Sequence, residues 1–472
     1  MLALGILAMF ITGTGCKKYL TIPLPINSVA GAEAFATDQT TAGVLNYIYT
    51  SLAGSGELGG GTKTYGGIGL NAGLYTDELQ VTTIGSGALK SFYANKVIGD
   101  DAGLSWGQLY LLVNVANTTL EAMNGSSLPF RDQWKGEAYF LRALLYYYLV
   151  NLYGDVALAV TSDYKVNNNL SRGPQSEVYK LMVTDLLQAQ TLLSADYLDN
   201  NGAAVTDRAR PNKAAATALL ARVYLSQGDW ANAETQASTV IGNSAYQLET
   251  PDKVFLVTGK ENIWGLLPTV SSGNITPDAG TYIITDGTTP VTSQAPAVIS
   301  PQLLSSFEPN DRRFTSWVGV STVITGADTA RYYYPWKYKL KGTQSSIGET
   351  YSILRLAEQY LIRAEARAKQ NKLSDAVGDV DAVRGRAGLT GTPATTQQDI
   401  LAAILRERRV EFFTEQGHRF FDLKRMGMID AVMGIVSPQK ESEWASYMQY
   451  WPIPTSETLA NPNLKQTPGY QQ

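Results

Sequence analysis

A chain of 472 residues with one histidine and one cysteine has few routes to catalysis. Zinc sites of Cys and His, Cys-x-x-Cys redox centres and disulfide frameworks are excluded by count. A Ser-His-Asp or Cys-His nucleophile would have to use His418. The paired carboxylates Asp77-Glu78 and Asp100-Asp101 are neighbours in sequence only. Adjacent side chains of an extended chain point to opposite sides, so neither pair forms a hydrolase dyad. Gly59-Gly60-Gly61 and Gly85-Ser86-Gly87 lack the lysine and the strand-to-helix setting of a phosphate cradle, and read as turns. Arg406, Glu407, Arg408, Arg409 and Glu411 interleave opposite charges and read as ion-pair partners holding helix ends.

The aromatic residues carry more chemistry. With 27 Tyr and 8 Trp against only 17% charged residues, the chain is rich in rings that stack on apolar C–H faces, as saccharides present them. Trp264 and Tyr146 to Tyr148 sit in apolar runs and are assigned to the core. Tyr65, Tyr75, Phe92, Tyr93, Tyr282, Trp317 and Trp336 lie beside glycine, proline or polar turns and are the candidate ligand contacts, about a third of them expected to touch ligand. No metal or cofactor is called for. Lys+Arg 38 against Asp+Glu 42 leaves a net charge of -4, which removes the basic footprint of a nucleic-acid binder.

The N-terminus speaks to location. Met1 to Gly15 is uncharged, and Leu2 to Ile11 is an apolar run about half as long as the roughly 20 residues that span a bilayer. It reads as the apolar region of a signal peptide over residues 1–15. Gly13, Thr14 and Gly15 lead into the single cysteine, Cys16, followed by Lys17-Lys18-Tyr19-Leu20. This resembles a bacterial lipoprotein box, with Cys16 as the lipidated first residue of the mature chain. The absent basic segment before the apolar run places the true start upstream. Several acyl chains give stable anchoring without a transmembrane helix.

The elements that must position these residues are mostly helices. Thr40 to Leu52, Leu104 to Leu120, Trp134 to Leu152 and Ser176 to Leu193 keep the helical period, and Gly54 to Gly73 reads as loop. Two segments repeat one plan. Lys213 to Gln227 is followed by Gly228-Asp229-Trp230 and a helix over Ala231 to Ile241; Leu354 to Gln370 is followed by Asn371-Lys372 and a helix over Leu373 to Arg386. Small residues let paired axes approach while a large residue each turn fills the gaps, as in tetratricopeptide repeats. Asp229 suits the N-cap of its second helix, and Trp230 reads as packing. From Pro251 to Thr350 the texture changes to Thr, Ser, Gly, Pro and aromatics, with short β-prone pieces at Asn262 to Leu267 and Tyr332 to Leu340. An irregular stretch of this length in a helical protein is expected to be functional.

These segments together resemble the SusD/RagB family. The resemblance rests on CKKYL from Cys16, WGQLY from Trp106 with Ala116-Asn117, EAYFLRALLYYYLVNLYGDVAL from Glu137, and ALLARVYLSQGDWANAETQASTVI from Ala218. RLAEQYLIRAEARA from Arg355, VRGRAGL from Val383, RERRVEFFTEQGHRFFDLKR from Arg406 and WPIPTSETLANPNLKQTPGY from Trp451 follow in order. It implies a mainly α, tetratricopeptide-like scaffold with a loop-rich, short-strand insertion as its variable face. The expected regions are 16–250, an N-terminal helical part; 251–350, the ligand-binding insertion; and 351–472, which completes the scaffold.

The resemblance further implies a lipid-anchored protein on the outer surface of a Gram-negative outer membrane. Such a protein captures glycan for a TonB-dependent, SusC-like transporter and is not an enzyme. Peptide or another nutrient is the alternative cargo, since tetratricopeptide grooves also bind peptides. The motif around His418 is structural in the family, which argues against a catalytic histidine, and no binding residue transfers position by position.

Overall fold

The computed structural model describes residues 31, 33–54, 57–59, 66–82, 87–290 and 295–471. The signal peptide, Cys16 and the extended lead over Lys17 to Pro25 lie outside them. Eight helices form the scaffold: α1 (Gly99–Met123), α2 (Arg131–Tyr153), α3 (Gln175–Leu192), α4 (Lys213–Gln227), α5 (Trp230–Ile241), α6 (Leu356–Lys369), α7 (Leu373–Arg386) and α8 (Gln397–Phe412). Each packs on the next, from α1 on α2 through to α7 on α8, so the chain winds as a continuous stack of helix pairs. The helix Asp38–Gly54 lies against α1 and α2.

Local chemistry sets the boundaries. The Asn212 side chain accepts from the Ala215 amide at 3.0 Å to start α4, and Gly228, with φ of 76°, ends it in the left-handed region that glycine tolerates. Asp229 then accepts from the Asn232 amide at 3.2 Å and starts α5, the cap expected from its position. Pro174 stands at the N-cap of α3, where its missing N–H costs nothing.

The two repeats, far apart in sequence, are neighbours in space. α5 packs directly on α6, and Ala221, Leu225, Ala233, Ala237, Ile362 and Ala366 form one buried seam where α4, α5 and α6 meet. Small side chains on all three helices allow the close approach, and Arg367 on α6 ties the seam's edge to Glu234 (3.0 Å) and Asp379 (2.9 Å). Residues 242–355 are therefore an insertion between two stacked helices. Its ends are clamped by an antiparallel ladder of β2 (Asn262–Leu266) and β6 (Tyr351–Arg355), buried along its whole length, and β6 runs straight into α6.

One hydrophobic core runs from Ala42 to Leu464, so the three sequence regions share an interior. The loop expected over Gly54 to Gly73 is in part a helix, Ile68–Tyr75, with every residue buried. Its sequence has too few large side chains to signal a helix, but its small ones are needed: a Cβ on Gly69 would stand 2.6 Å from the Thr414 carbonyl oxygen. Among the described residues, no helix is long and apolar enough to cross a membrane.

Candidate functional site

The two loop-rich stretches, before α1 and within the insertion, meet on one face. β1 (Leu79–Val81) pairs antiparallel with β3 (Ala297–Ile299), Leu79 opposite Ile299 and Val81 opposite Ala297. Beside this ladder the Ser300 amide donates to the Glu78 carbonyl (2.9 Å), and the Ser300 hydroxyl to the Asp77 carbonyl (2.6 Å). Gly59 lies so near Tyr351 and Asp278 that any Cβ there would overlap both.

A second device projects from this region. β4 (Val318–Thr325) and β5 (Asp328–Pro335) form an eight-pair hairpin closed by Gly326 and Ala327, with Gly326 at φ of 64°. Burial falls away from base to tip: Pro335, Tyr334 and Val318 are buried, whereas Ile324 near the turn is 72% exposed. Tyr332 and Tyr333 stand half-buried at mid-height on opposite faces.

The candidate contacts separate into three groups. Tyr65 lies outside the described residues. Tyr75, Phe92, Tyr282 and Trp317 are fully buried, which corrects the expectation that they face a ligand. Tyr75 donates to the Met448 carbonyl (2.8 Å) and packs edge-on against Phe92, Phe420, Trp444 and Trp451. Phe92 packs edge-on against Trp451 at 4.8 Å. Trp317 donates its indole N–H to the Pro251 carbonyl (2.6 Å), and burial holds the Tyr282 hydroxyl well above the ordinary tyrosine pKa. Glycine and proline beside these rings mark loops that are packed over, not loops that stand open.

Tyr93 and Trp336 are half-buried, each with a lysine ammonium over its ring: Lys440 at 5.1 Å and Lys339 at 4.8 Å. Tyr332 and Tyr333 were missed as candidates. Their place in a run that alternates toward a two-residue turn was the available signal.

Under the face lies a closed ionic floor. Arg355 donates to Glu415 (2.8 and 2.9 Å), Glu261 (2.9 Å), Glu411 (2.5 Å) and the Glu411 carbonyl (2.8 Å). Arg313 bridges Asp311, Glu407 and Glu411, and Arg386 also reaches Glu411. Burial works to raise the Glu411 carboxyl, but Arg386, Arg355 and Arg313 overcome it and hold it far below the ordinary range. Lys337 joins through Glu415 (2.5 Å), its pKa lowered by burial to about 8. Glu407, Arg408, Arg409 and Glu411 are thus interior ion-pair partners: Arg408 holds Asp422 (2.7 Å) and Arg409 holds Asp77 (2.8 Å).

Asp77, Glu78 and His418 lie in the same buried network, whereas Asp101 does not. Asp77 accepts from two guanidinium nitrogens of Arg419, Nε and Nη2, each at 2.9 Å; burial raises it, yet Arg419 and Arg409 bring it below its usual pKa. Burial, then the Asp77 charge, pushes Glu78 up to about 8. His418 packs on Phe412 at 4.8 Å, and burial together with Arg222 and Arg408 keeps its imidazole neutral. Asp101 reaches back toward the Ile98 amide (3.4 Å) at the start of α1. Among the described residues, no group of three or more His, Cys, Asp and Glu is placed to hold a metal ion.

What remains for a ligand is aromatic, hydroxyl and amide surface carried on loops and a hairpin above a helical-repeat scaffold. The family models agree: the SusD family matches residues 281–470, and a second model, described as starch-binding associating with outer membrane, matches residues 75–225. The chain belongs to the SusD/RagB family. It is 26% identical over 520 residues to SusD-like protein P2 of Formosa agariphila, covering 98% of each chain. It is 27% identical over 419 residues to the starch-binding protein SusD of Bacteroides thetaiotaomicron, covering 71% of this chain and 73% of that one. Its fold matches surface glycan-binding protein A from Bacteroides uniformis with a TM-score of 0.76 at 19% identity, covering 91% of this chain and 99% of that one.

Proposed function

We infer that the protein captures a glycan at the cell surface and hands it, untransformed, to a TonB-dependent, SusC-like transporter, tethered to the outer membrane by lipid on Cys16. The observation that carries this reading is the β1–β3 ladder. It ties the segment before α1 to the long insertion, and the half-buried rings Tyr93, Trp336 and Tyr333 are carried by these two segments. Starch and glycans in the names of relatives support the ligand class. The contacts assigned are Trp336 and Tyr93, with Tyr333 added from the hairpin; Tyr65 stays a candidate.

Stacking on one aromatic ring is worth about 1–3 kcal/mol for a base, and a sugar ring falls in or below that range. Trp336→Ala should therefore weaken a soluble polysaccharide about tenfold, with circular dichroism unchanged. Pools of neutral polysaccharides and of peptides, titrated by calorimetry, test the reading. Binding confined to peptides would overturn it, as would shortened oligosaccharides after incubation with pure protein.

A further inference from the structure

A second concavity lies away from the loop face. It is a cavity of about 440 Å³ between the first half of α1, the segment after α2 and the C-terminal stretch around Asn461, and neither β1, β3 nor the hairpin contributes to it. The volume falls in the range of small-molecule sites, about 300–1,000 Å³.

Its chemistry is selective. Tyr110, half-buried, forms the aromatic wall, backed at 4.8 Å by Trp106, itself only 2% exposed, and Tyr164, 66% exposed, stands at the rim. No lysine or arginine lines it; the polar groups are amides, a serine hydroxyl and the Glu457 carboxylate. Some amides are committed to holding the wall: Asn117 donates to the Ala159 (3.0 Å) and Thr161 (3.1 Å) carbonyls, and Asn461 to the Leu170 carbonyl (2.7 Å).

Asn167 is different. Its amide nitrogen donates to the Thr161 carbonyl (2.8 Å), which fixes the orientation, and its Oδ1 is shielded from solvent with no donor. A buried acceptor left unpaired costs about 1–3 kcal/mol, and because the oxygen is shielded it belongs to the wall behind the cavity and is not itself a ligand contact. Gly107, on the exposed side of α1, leaves the mouth open: nothing stands within 4 Å of where its Cβ would be.

We propose that this cavity is a second saccharide site, taking one or two neutral sugar rings against Tyr110 and Tyr164, with their hydroxyls among Asn114, Asn168 and Glu457. A ring's C–H face suits the aromatic wall, its hydroxyls suit the amides and Glu457, and the lack of cations excludes an acidic sugar or phosphate. The site does not depend on the loop face.

The test is calorimetric titration of the full mature chain with maltose, cellobiose, lactose, laminaribiose and sucrose to tens of millimolar, beside a soluble polysaccharide. At least one disaccharide should bind, and Gly107→Leu, which fills the mouth without touching the core, should weaken it at least tenfold. If no disaccharide binds, or if Gly107→Leu binds like the parent, the proposal is overturned. Loss of polysaccharide in Trp336→Ala reports the loop face alone, so either reading can fail while the other stands.

Discussion

Replacing Arg355 by methionine probes the ionic floor most directly. The change keeps a long apolar stem and removes five hydrogen bonds to Glu261, Glu411 and Glu415, all buried. Breaking a buried pair by deleting one partner costs about 3–5 kcal/mol, because an uncompensated charge stays in the interior. Here each carboxylate keeps a second cation: Arg386 for Glu261, Arg313 and Arg386 for Glu411, and Lys337 for Glu415. The expected loss therefore falls at the lower end, about 3 kcal/mol.

The loss should also depend on pH. Burial already holds the Glu261 carboxyl above its ordinary pKa against the pull of Arg386 and Arg355, and losing Arg355 raises it further. Stability is then retained where Glu261 is protonated and lost as pH rises through its new folded pKa. Urea unfolding of parent and variant at pH 5 and pH 8 measures both quantities, and the deficit should be larger at pH 8. A deficit below about 1 kcal/mol, or one equal at the two pH values, would refute the account of the floor as a mutually neutralising network.

Three further changes test other levels. Ala221→Leu forces a large side chain into the α4–α5–α6 seam and should cost about 1–3 kcal/mol; an unchanged calorimetric melting temperature would mean the seam is not tightly packed there. Glu78→Gln should match the parent at pH 5 and melt higher at pH 9. The folded-state pKa of about 8 stands above the ordinary 4.5, so the Glu78 contribution is intact below 4.5 and lost as pH climbs through 8. A parent that melts equally at both pH values would contradict this. Cys16→Ala, expressed from a start that supplies a basic leader, should move the protein from the membrane to the soluble fraction; a variant still in the membrane fraction would exclude the lipid anchor.

The scaffold was legible where packing and periodicity coincide. α4 and α7 have the ends read from sequence, because small and large residues recur each turn and Gly228-Asp229 or Asn371-Lys372 interrupts them. Their arrangement was not legible: that α5 packs on α6 across the insertion depends on a ladder between residues about 90 apart. The charged run at 406–411 was read as pairs at helix ends, yet Glu407, Arg409 and Glu411 meet Arg313, Asp77 and Arg355 from distant segments, while Arg406 stays exposed. Among the aromatics, Trp317 and Tyr282 adjoin polar or glycine-containing segments and are still covered, since one loop here is roofed by another. Adjacency to a turn reports local backbone shape; exposure is decided by what the rest of the chain lays on top.

The insertion between α5 and α6 also orders the steps of folding. Ala233 and Ala237 on α5 are covered by Ile362 and Ala366 on α6, which arrive more than a hundred residues later. Until then the α4–α5 pair is a helical hairpin with an apolar flank facing water. Closing so long a segment carries an entropic cost that grows only with the logarithm of its length, so the delay matters more than the distance. The β2–β6 ladder shortens the search: once Tyr351–Arg355 pairs with Asn262–Leu266, α6 begins at the next residue and needs only to wind. Nucleation of that ladder is then the event that converts two separate halves into one cooperative unit. A substitution that disturbs it would slow folding of the entire protein and, because the ladder is buried along its length, lower the stability of the finished structure as well.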